Sequence, residues 1–265
     1  MNTPPSHTDM QALAGLAAGD ADRLLCVRFL PASAQSGGLV LLAFHNELIR
    51  VLAPARSAAV AGPMAGLIRL QWWREVLEKA RPPEHILAPF LLGMMACGQA
   101  RLATLLRLVH SCEMELTGAR DQPAWEGMMR DGPGALQRAM GELLGVEDPA
   151  ILLRLEACGM AYGAGAMLRH WPVLQQSGRF IWPARQEALR LQGQAWLAAL
   201  DWPHLPAPLR LAALPAVLAE RDLAGAGPPA RAPPGGGGSP PPNGPGGYAP
   251  RGVLGGGTAW GGEGQ

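Results

Sequence analysis

Gly66-Leu67-Ile68-Arg69-Leu70-Gln71-Trp72-Trp73-Arg74-Glu75-Val76-Leu77-Glu78 decides the fold, read together with Leu39-Val40-Leu41-Leu42-Ala43-Phe44-His45-Asn46-Glu47-Leu48-Ile49-Arg50-Val51 upstream of it. Each stretch is assigned to one helix. On a wheel of about 100° per residue, the first puts Gln71, Arg74, Glu75 and Glu78 on one arc, which is expected to face solvent. Arg69 falls on the far side, among Trp73, Val76 and Ala80. Burying an unpaired charge there is unfavourable, so Arg69 needs a partner. Glu47 on the upstream helix is the expected structural partner, and a lipid diphosphate is the functional alternative. The upstream helix gathers Ala43, Asn46, Glu47 and Arg50 on one arc, with Leu41, Leu42, Leu48, Val51 and Leu52 as the apolar remainder. A solvated polar face is the expectation for that arc.

Working outward, the composition is helical. Alanine, leucine, arginine and methionine are abundant, whereas isoleucine, threonine and tyrosine are scarce. Glycine and proline punctuation divides the chain into segments, and about eight to ten helices in an all-α fold are expected. Asp148-Pro149 is a start signal, with a capping acceptor ahead of a proline at the first helical position. The helix it opens is expected to run from Ala150 to about Trp171, where Pro172 discourages continuation. Gly159, Gly163, Ala166, His170 and Leu174 form one narrow stripe on it. Such a stripe of small residues implies close helix packing, and His170 reads as a satisfied or exposed histidine rather than a metal ligand.

At 265 residues the chain can bury a substantial core. The folded domain is expected over 10–223. The segment 224–265 is dominated by glycine and proline, too poor in apolar surface to offset its ordering entropy, and is expected to be disordered. The composition changes so abruptly after Leu223 that a shifted reading frame is an open alternative. A net charge of +1 gives no reason to expect nucleic acid as a partner. Nearly all cations are arginine, which suits phosphate but equally reflects a GC-rich genome. Cys26, Cys97, Cys112 and Cys158 lack zinc or redox spacing and read as four buried, reduced thiols. No basic-then-apolar leader begins the chain, and no apolar run reaches the roughly 18 residues of a membrane span. A cytoplasmic protein, soluble or peripheral on the inner membrane, is the expectation.

The helix around Phe44, the IRLQWWRE helix and Gly178-Arg179-Phe180-Ile181-Trp182-Pro183 together resemble the squalene/phytoene synthase family over roughly residues 20–185, more weakly to 223. The resemblance implies a single helical bundle of the isoprenoid synthase type, with a central cavity. In that family two aspartate-rich motifs hold magnesium against a substrate diphosphate, which fits the preference of magnesium for carboxylate and phosphate oxygens. Laid on Leu42-Ala43-Phe44, the first motif's aspartates fall on Ile49, Arg50 and Ala53. In the second, Gly159, Ala161, Arg169, Gly178, Arg179 and Pro183 match, but the aspartates become His170 and Leu174. The motif's glutamine and asparagine become Gly163 and Ala166, and Met128 or Met129 lies nearest the family's mid-chain tyrosine.

The resemblance carries over no catalytic residue and no metal ligand. It leaves Asn46, Glu47, Arg50, Arg69, Arg169 and Arg179 as candidate substrate-binding residues, facing an isoprenoid lipid or diphosphate. It is closest to a branch with F-N-x-E-x-A-R-V and IRLQWWR-type helices, which resembles the mitochondrial assembly factor of respiratory complex I. This implies a catalytically degenerate, lipid- or protein-binding factor without a cofactor, with a membrane-complex assembly partner. The competing reading is an active prenyl transferase with a divergent site, for which magnesium is expected and in which Arg69, Arg169 and Arg179 grip the diphosphate.

Overall fold

The computed structural model describes residues 7–52, 62–118, 121–176 and 185–224. Among them are thirteen α-helices and no strand, so the all-α expectation holds. The excess over eight to ten comes from short pieces that breaker counting does not separate. They include α2 (Ala21–Val27), α10 (Trp171–Gln176) and α12 (Ala207–Ala212). The expected disordered segment lies outside the described residues, apart from Ala224 at its start.

α1 (His7–Ala17) and α2 pack on α3 (Ala32–Val51), the most enclosed helix of the N-terminal half. α4 (Gly62–Leu77) carries the IRLQWWRE sequence and crosses α3 through an edge-to-face pair, Phe44 and Trp73, with ring centroids 5.0 Å apart. Its polar arc only partly faces solvent. Gln71 and Glu78 are exposed, but Arg74 is half-buried and forks onto both Glu113 carboxylate oxygens at 2.9 and 2.8 Å. α5 (Ala88–Ala96) closes that end.

α6 (Leu102–Thr117), α7 (Gln122–Met129), a π-helical turn (Arg130–Gly134) and α8 (Ala135–Leu143) build the middle wall. Arg107 and Arg138 both bond Glu156 Oε1, at 2.7 and 2.8 Å, and Arg107 also bonds Asp131 at 2.8 Å. That network ties the wall to α9 (Pro149–Arg169). Burial alone would raise the Glu156 carboxyl, but the two arginines outweigh it and hold it below the usual carboxylate range.

α9 starts as its sequence implies, with the Asp148 carboxylate accepting from the Ala150 N–H at 2.8 Å. It stops earlier than expected, at Arg169, and α10 restarts at Trp171. Pro172 has no N–H to give the Leu168 carbonyl, which is capped instead by His170. Among the described residues, α9 is the one helix long and apolar enough to cross a membrane, contrary to the sequence expectation, and it is mostly buried. α11 (Gln186–Ala199) and α13 (Pro215–Leu223) pack along it, and α12 packs on α8 and α2.

The small-residue stripe does mediate close packing. A Cβ on Gly159 would sit 2.1 Å from the Pro133 carbonyl oxygen, so no side chain fits there. The thiols are less uniform than expected. Cys112 and Cys158 are buried, Cys26 is half-buried, and Cys97 is exposed at the C-terminal cap of α5.

Candidate functional site: a lined cavity with a polar end

A cavity of about 1010 Å³ opens between the two apolar core clusters. Leu108 and Cys112 of α6 reach it from one cluster, and Trp125 and Met129 of α7 with Tyr162 of α9 reach it from the other. The π turn makes this wall possible. Gly132 lies so close to α6 that a Cβ would meet Ser111 Oγ at 2.5 Å, and it lines the cavity with Pro133.

The four described positions where the resemblance places aspartates all line this cavity. They are Ile49 and Arg50 on α3, His170 at the α9–α10 break, and Leu174 on α10. Gly163, Ala166, Met128 and Met129 line it as well. The described motif positions therefore share one surface. Ala53 and Arg179 lie outside the described residues.

The candidate binding residues divide. Asn46, Arg50 and Arg169 line the cavity, but Glu47 and Arg69 do not. The Ala43–Asn46–Glu47–Arg50 arc is not a solvated face: Asn46 is 6 % exposed and Glu47 3 %. α3 is buried along most of its length, so Asn46 and Glu47 work inside the fold, whereas Arg50 at its C-terminal end is 65 % exposed. Asn46 Nδ2 donates to the Leu16 and Ala17 carbonyls, at 3.3 and 2.9 Å, and caps the end of α1. Glu47 takes Arg69 Nη2 at 2.5 Å, with Arg50 Nη1 at 3.6 Å and His85 Nε2 at 3.9 Å. The expected Arg69–Glu47 pair is thus present, although the Arg69 side chain is 57 % exposed rather than set among apolar neighbours.

The polar end of the cavity comes from residues that wheel and motif reading passed over. Asp20, Asp22 and Arg23 open α2, and His45 and Tyr162 face them from α3 and α9. Asp20 caps α2 by accepting from the Arg23 N–H at 3.0 Å. It also accepts from the Tyr162 hydroxyl at 3.0 Å. The Arg23 guanidinium stacks on the Tyr162 ring, 4.2 Å from its centroid. Arg169 binds Asp22 and lies 3.4 Å from Asp222 of α13. Burial pushes the Tyr162 phenol well above its ordinary range, and burial with Arg23 nearby pushes the His45 imidazole down to about 3. The local signal that could have flagged this end was Gly19-Asp20-Ala21-Asp22-Arg23, an N-cap pattern with an acid–base pair.

The squalene/phytoene synthase family model matches residues 16–221. The chain belongs to the squalene/phytoene synthase family. Among solved structures it is similar to a dehydrosqualene synthase in complex with ligand, at 15 % identity and TM-score 0.65, over 83 % of this chain and 88 % of that one. It is also similar to the squalene synthase HpnC from Alicyclobacillus acidocaldarius, at 14 % identity and TM-score 0.68, over 82 % and 92 % of the two chains. At these identities the likeness establishes the helical synthase fold. No curated protein matches the chain significantly.

Magnesium of the kind this family implies needs clustered oxygen ligands. Among the described residues no group of three or more His, Cys, Asp or Glu is arranged to hold a metal. Asp20 is occupied by a helix cap and a phenol, and Asp22 by Arg169. Ile49 and Leu174 offer no donor, and Arg50 carries the wrong charge. The described residues do not fit a magnesium cluster.

Proposed function

We propose that this squalene/phytoene synthase family member does not perform magnesium-dependent prenyl condensation and instead uses its cavity as a lipid- or protein-binding factor in respiratory-complex assembly. The observation that carries the reading is the cavity wall itself. Where the family's aspartates would stand, it presents Ile49, Arg50, His170 and Leu174, and the nearby Asp20 and Asp22 are already bound to their own neighbours. The assembly role, with a membrane-complex partner and a peripheral place on the cytoplasmic side of the inner membrane, rests on the branch resemblance of the α3 and α4 sequences.

An active prenyl transferase gripping diphosphate through Arg69, Arg169 and Arg179 is less favoured. Arg69 lies away from the cavity on Glu47, and Arg169 is held between Asp22 and Asp222.

The deciding experiment incubates the purified full chain with farnesyl or geranylgeranyl diphosphate and magnesium and measures inorganic diphosphate. No release above the no-enzyme control is expected, and magnesium-dependent release would overturn the reading. Deletion in the native host tests the assembly role separately. Lowered respiratory complex I activity is expected, and an unchanged level would remove that part.

A further inference from the structure

Resting on the non-condensing reading above, we infer that the cavity takes a lipid with an apolar chain and an uncharged, hydrogen-bond-accepting head, an alcohol or a carbonyl, and that it does so without metal and in preference to a diphosphate.

The charge balance of the lining is the first ground. Among the described residues, Asp20, Asp22 and Glu115 line the cavity with Arg23, Arg50 and Arg169. Each of these arginines already lies beside a carboxylate. Arg23 is 3.7 Å from Asp20, Arg50 is 3.6 Å from Glu47, and Arg169 contacts Asp22 and Asp222. His45, buried in the same end, is held neutral. A diphosphate entering here would shed its hydration opposite Asp20 and Asp22, where the lining carboxylates and arginines among the described residues balance three against three. Desolvating an unmatched charge is far more unfavourable than desolvating a neutral oxygen.

The unpartnered polar atoms are the second ground. Arg23 Nε and Nη2 and His45 Nδ1 are buried and have no hydrogen-bond partner. The Arg23 side chain is only 4 % exposed. Guanidinium nitrogens donate and never accept, so the two Arg23 atoms call for an acceptor oxygen. The Tyr162 hydroxyl does not serve: it gives its proton to Asp20, and the Arg23 guanidinium stacks over its ring instead of bonding to its oxygen. One neutral hydroxyl or carbonyl oxygen meets that need and adds no charge.

The body of the cavity is the third ground. Ile49, Leu116, Trp125, Met129 and Leu174 give it apolar walls. Its volume of about 1010 Å³ is at the upper end of small-molecule sites, about 300–1,000 Å³. Two positions that would carry carboxylates in an active relative thus extend the apolar surface.

The test titrates the full chain with geranylgeraniol and with geranylgeranyl diphosphate, each in EDTA and in magnesium. Tryptophan fluorescence follows binding, and native mass spectrometry gives the stoichiometry. One geranylgeraniol per chain is expected to bind at least about tenfold more tightly than the diphosphate, the weight of one charge-assisted hydrogen bond, with no dependence on magnesium. Ala166→Trp, which fills the cavity, should abolish binding with a cooperative melt retained. Arg23→Met should weaken the alcohol by about tenfold, and if that variant does not fold, the ranking of ligands on the unaltered chain decides. Equal or tighter diphosphate binding, magnesium-enhanced binding, or no binding of the alcohol each overturns the inference. Tight diphosphate binding without diphosphate release sinks this inference alone, whereas release sinks the non-condensing reading as well.

Discussion

Asn46 and Glu47 are neighbours on α3, both buried, and both spend their polar atoms on structure rather than on ligand. Asn46→Ala removes the donor that the Leu16 and Ala17 carbonyls share and leaves buried acceptors unsatisfied. A loss of about 1–3 kcal/mol is expected in denaturant unfolding, with faster amide exchange in the last turn of α1. His45, one residue earlier, governs acid stability. Its folded pKa is pushed down to about 3 by burial and by Arg23, against the partly compensating Asp20 carboxylate. The unfolded chain binds a proton near pH 6.5 that the folded chain refuses. Stability from this group is therefore full above that pH and declines as the pH falls towards 3, by at most about 1.4 kcal/mol per pH unit. His85 shifts in the same direction, chiefly through burial. His45→Gln should flatten the slope between pH 6 and 4 by close to one proton, about 1.4 kcal/mol per pH unit, measured by chemical unfolding at several pH values. A slope equal to that of the unaltered chain would show that His45 is not buried neutral.

At the scale of elements, helices were legible in the sequence where local chemistry specifies them, and faces were not. Asp148-Pro149 announces α9, and the cap observed there is the one those residue types make. The polar arc of α3 misled because a wheel separates polar from apolar but does not say which side is covered, and this helix is buried along most of its length. Asp20 and Tyr162 meet across 142 positions of chain, so no local pattern could have joined them. The described motif positions do share one cavity wall, because the alignment encodes a fold rather than a local propensity. The Glu156 network shows what holds that wall to α9. Glu156→Ala leaves Arg107 and Arg138 without their shared acceptor. Arg107 keeps Asp131 and Arg138 keeps Glu142, so a loss of about 1–3 kcal/mol is expected in denaturant unfolding. Glu156→Gln keeps an acceptor oxygen and should cost less. If the glutamine variant were as stable as the unaltered chain, the charge at this point would contribute nothing.

For the whole molecule, family membership and the proposed loss of metal ligation are compatible because packing and metal binding are separable demands. Leu41, Leu48 and Trp73 are buried however the cavity is lined, so a core of this kind survives when Ile49 or Leu174 replaces a carboxylate. Function resides in the site rather than in the fold, and the described lining here carries Ile49, Arg50, His170 and Leu174 where the resemblance places carboxylates. That difference has a thermodynamic signature independent of any activity. A ligand that binds only the folded state at about a hundredfold above its dissociation constant adds about 2.7 kcal/mol to stability, and raises the melting temperature accordingly. An aspartate-lined relative should show such a rise with magnesium and a prenyl diphosphate together. This chain should melt at the same temperature with buffer, with magnesium, and with magnesium plus geranylgeranyl diphosphate, as followed by calorimetry. Calcium serves as the control for non-specific divalent effects. A rise seen with magnesium and diphosphate, and not with calcium, would mean that carboxylates outside Ile49, Arg50, His170 and Leu174 assemble a metal site when the substrate arrives.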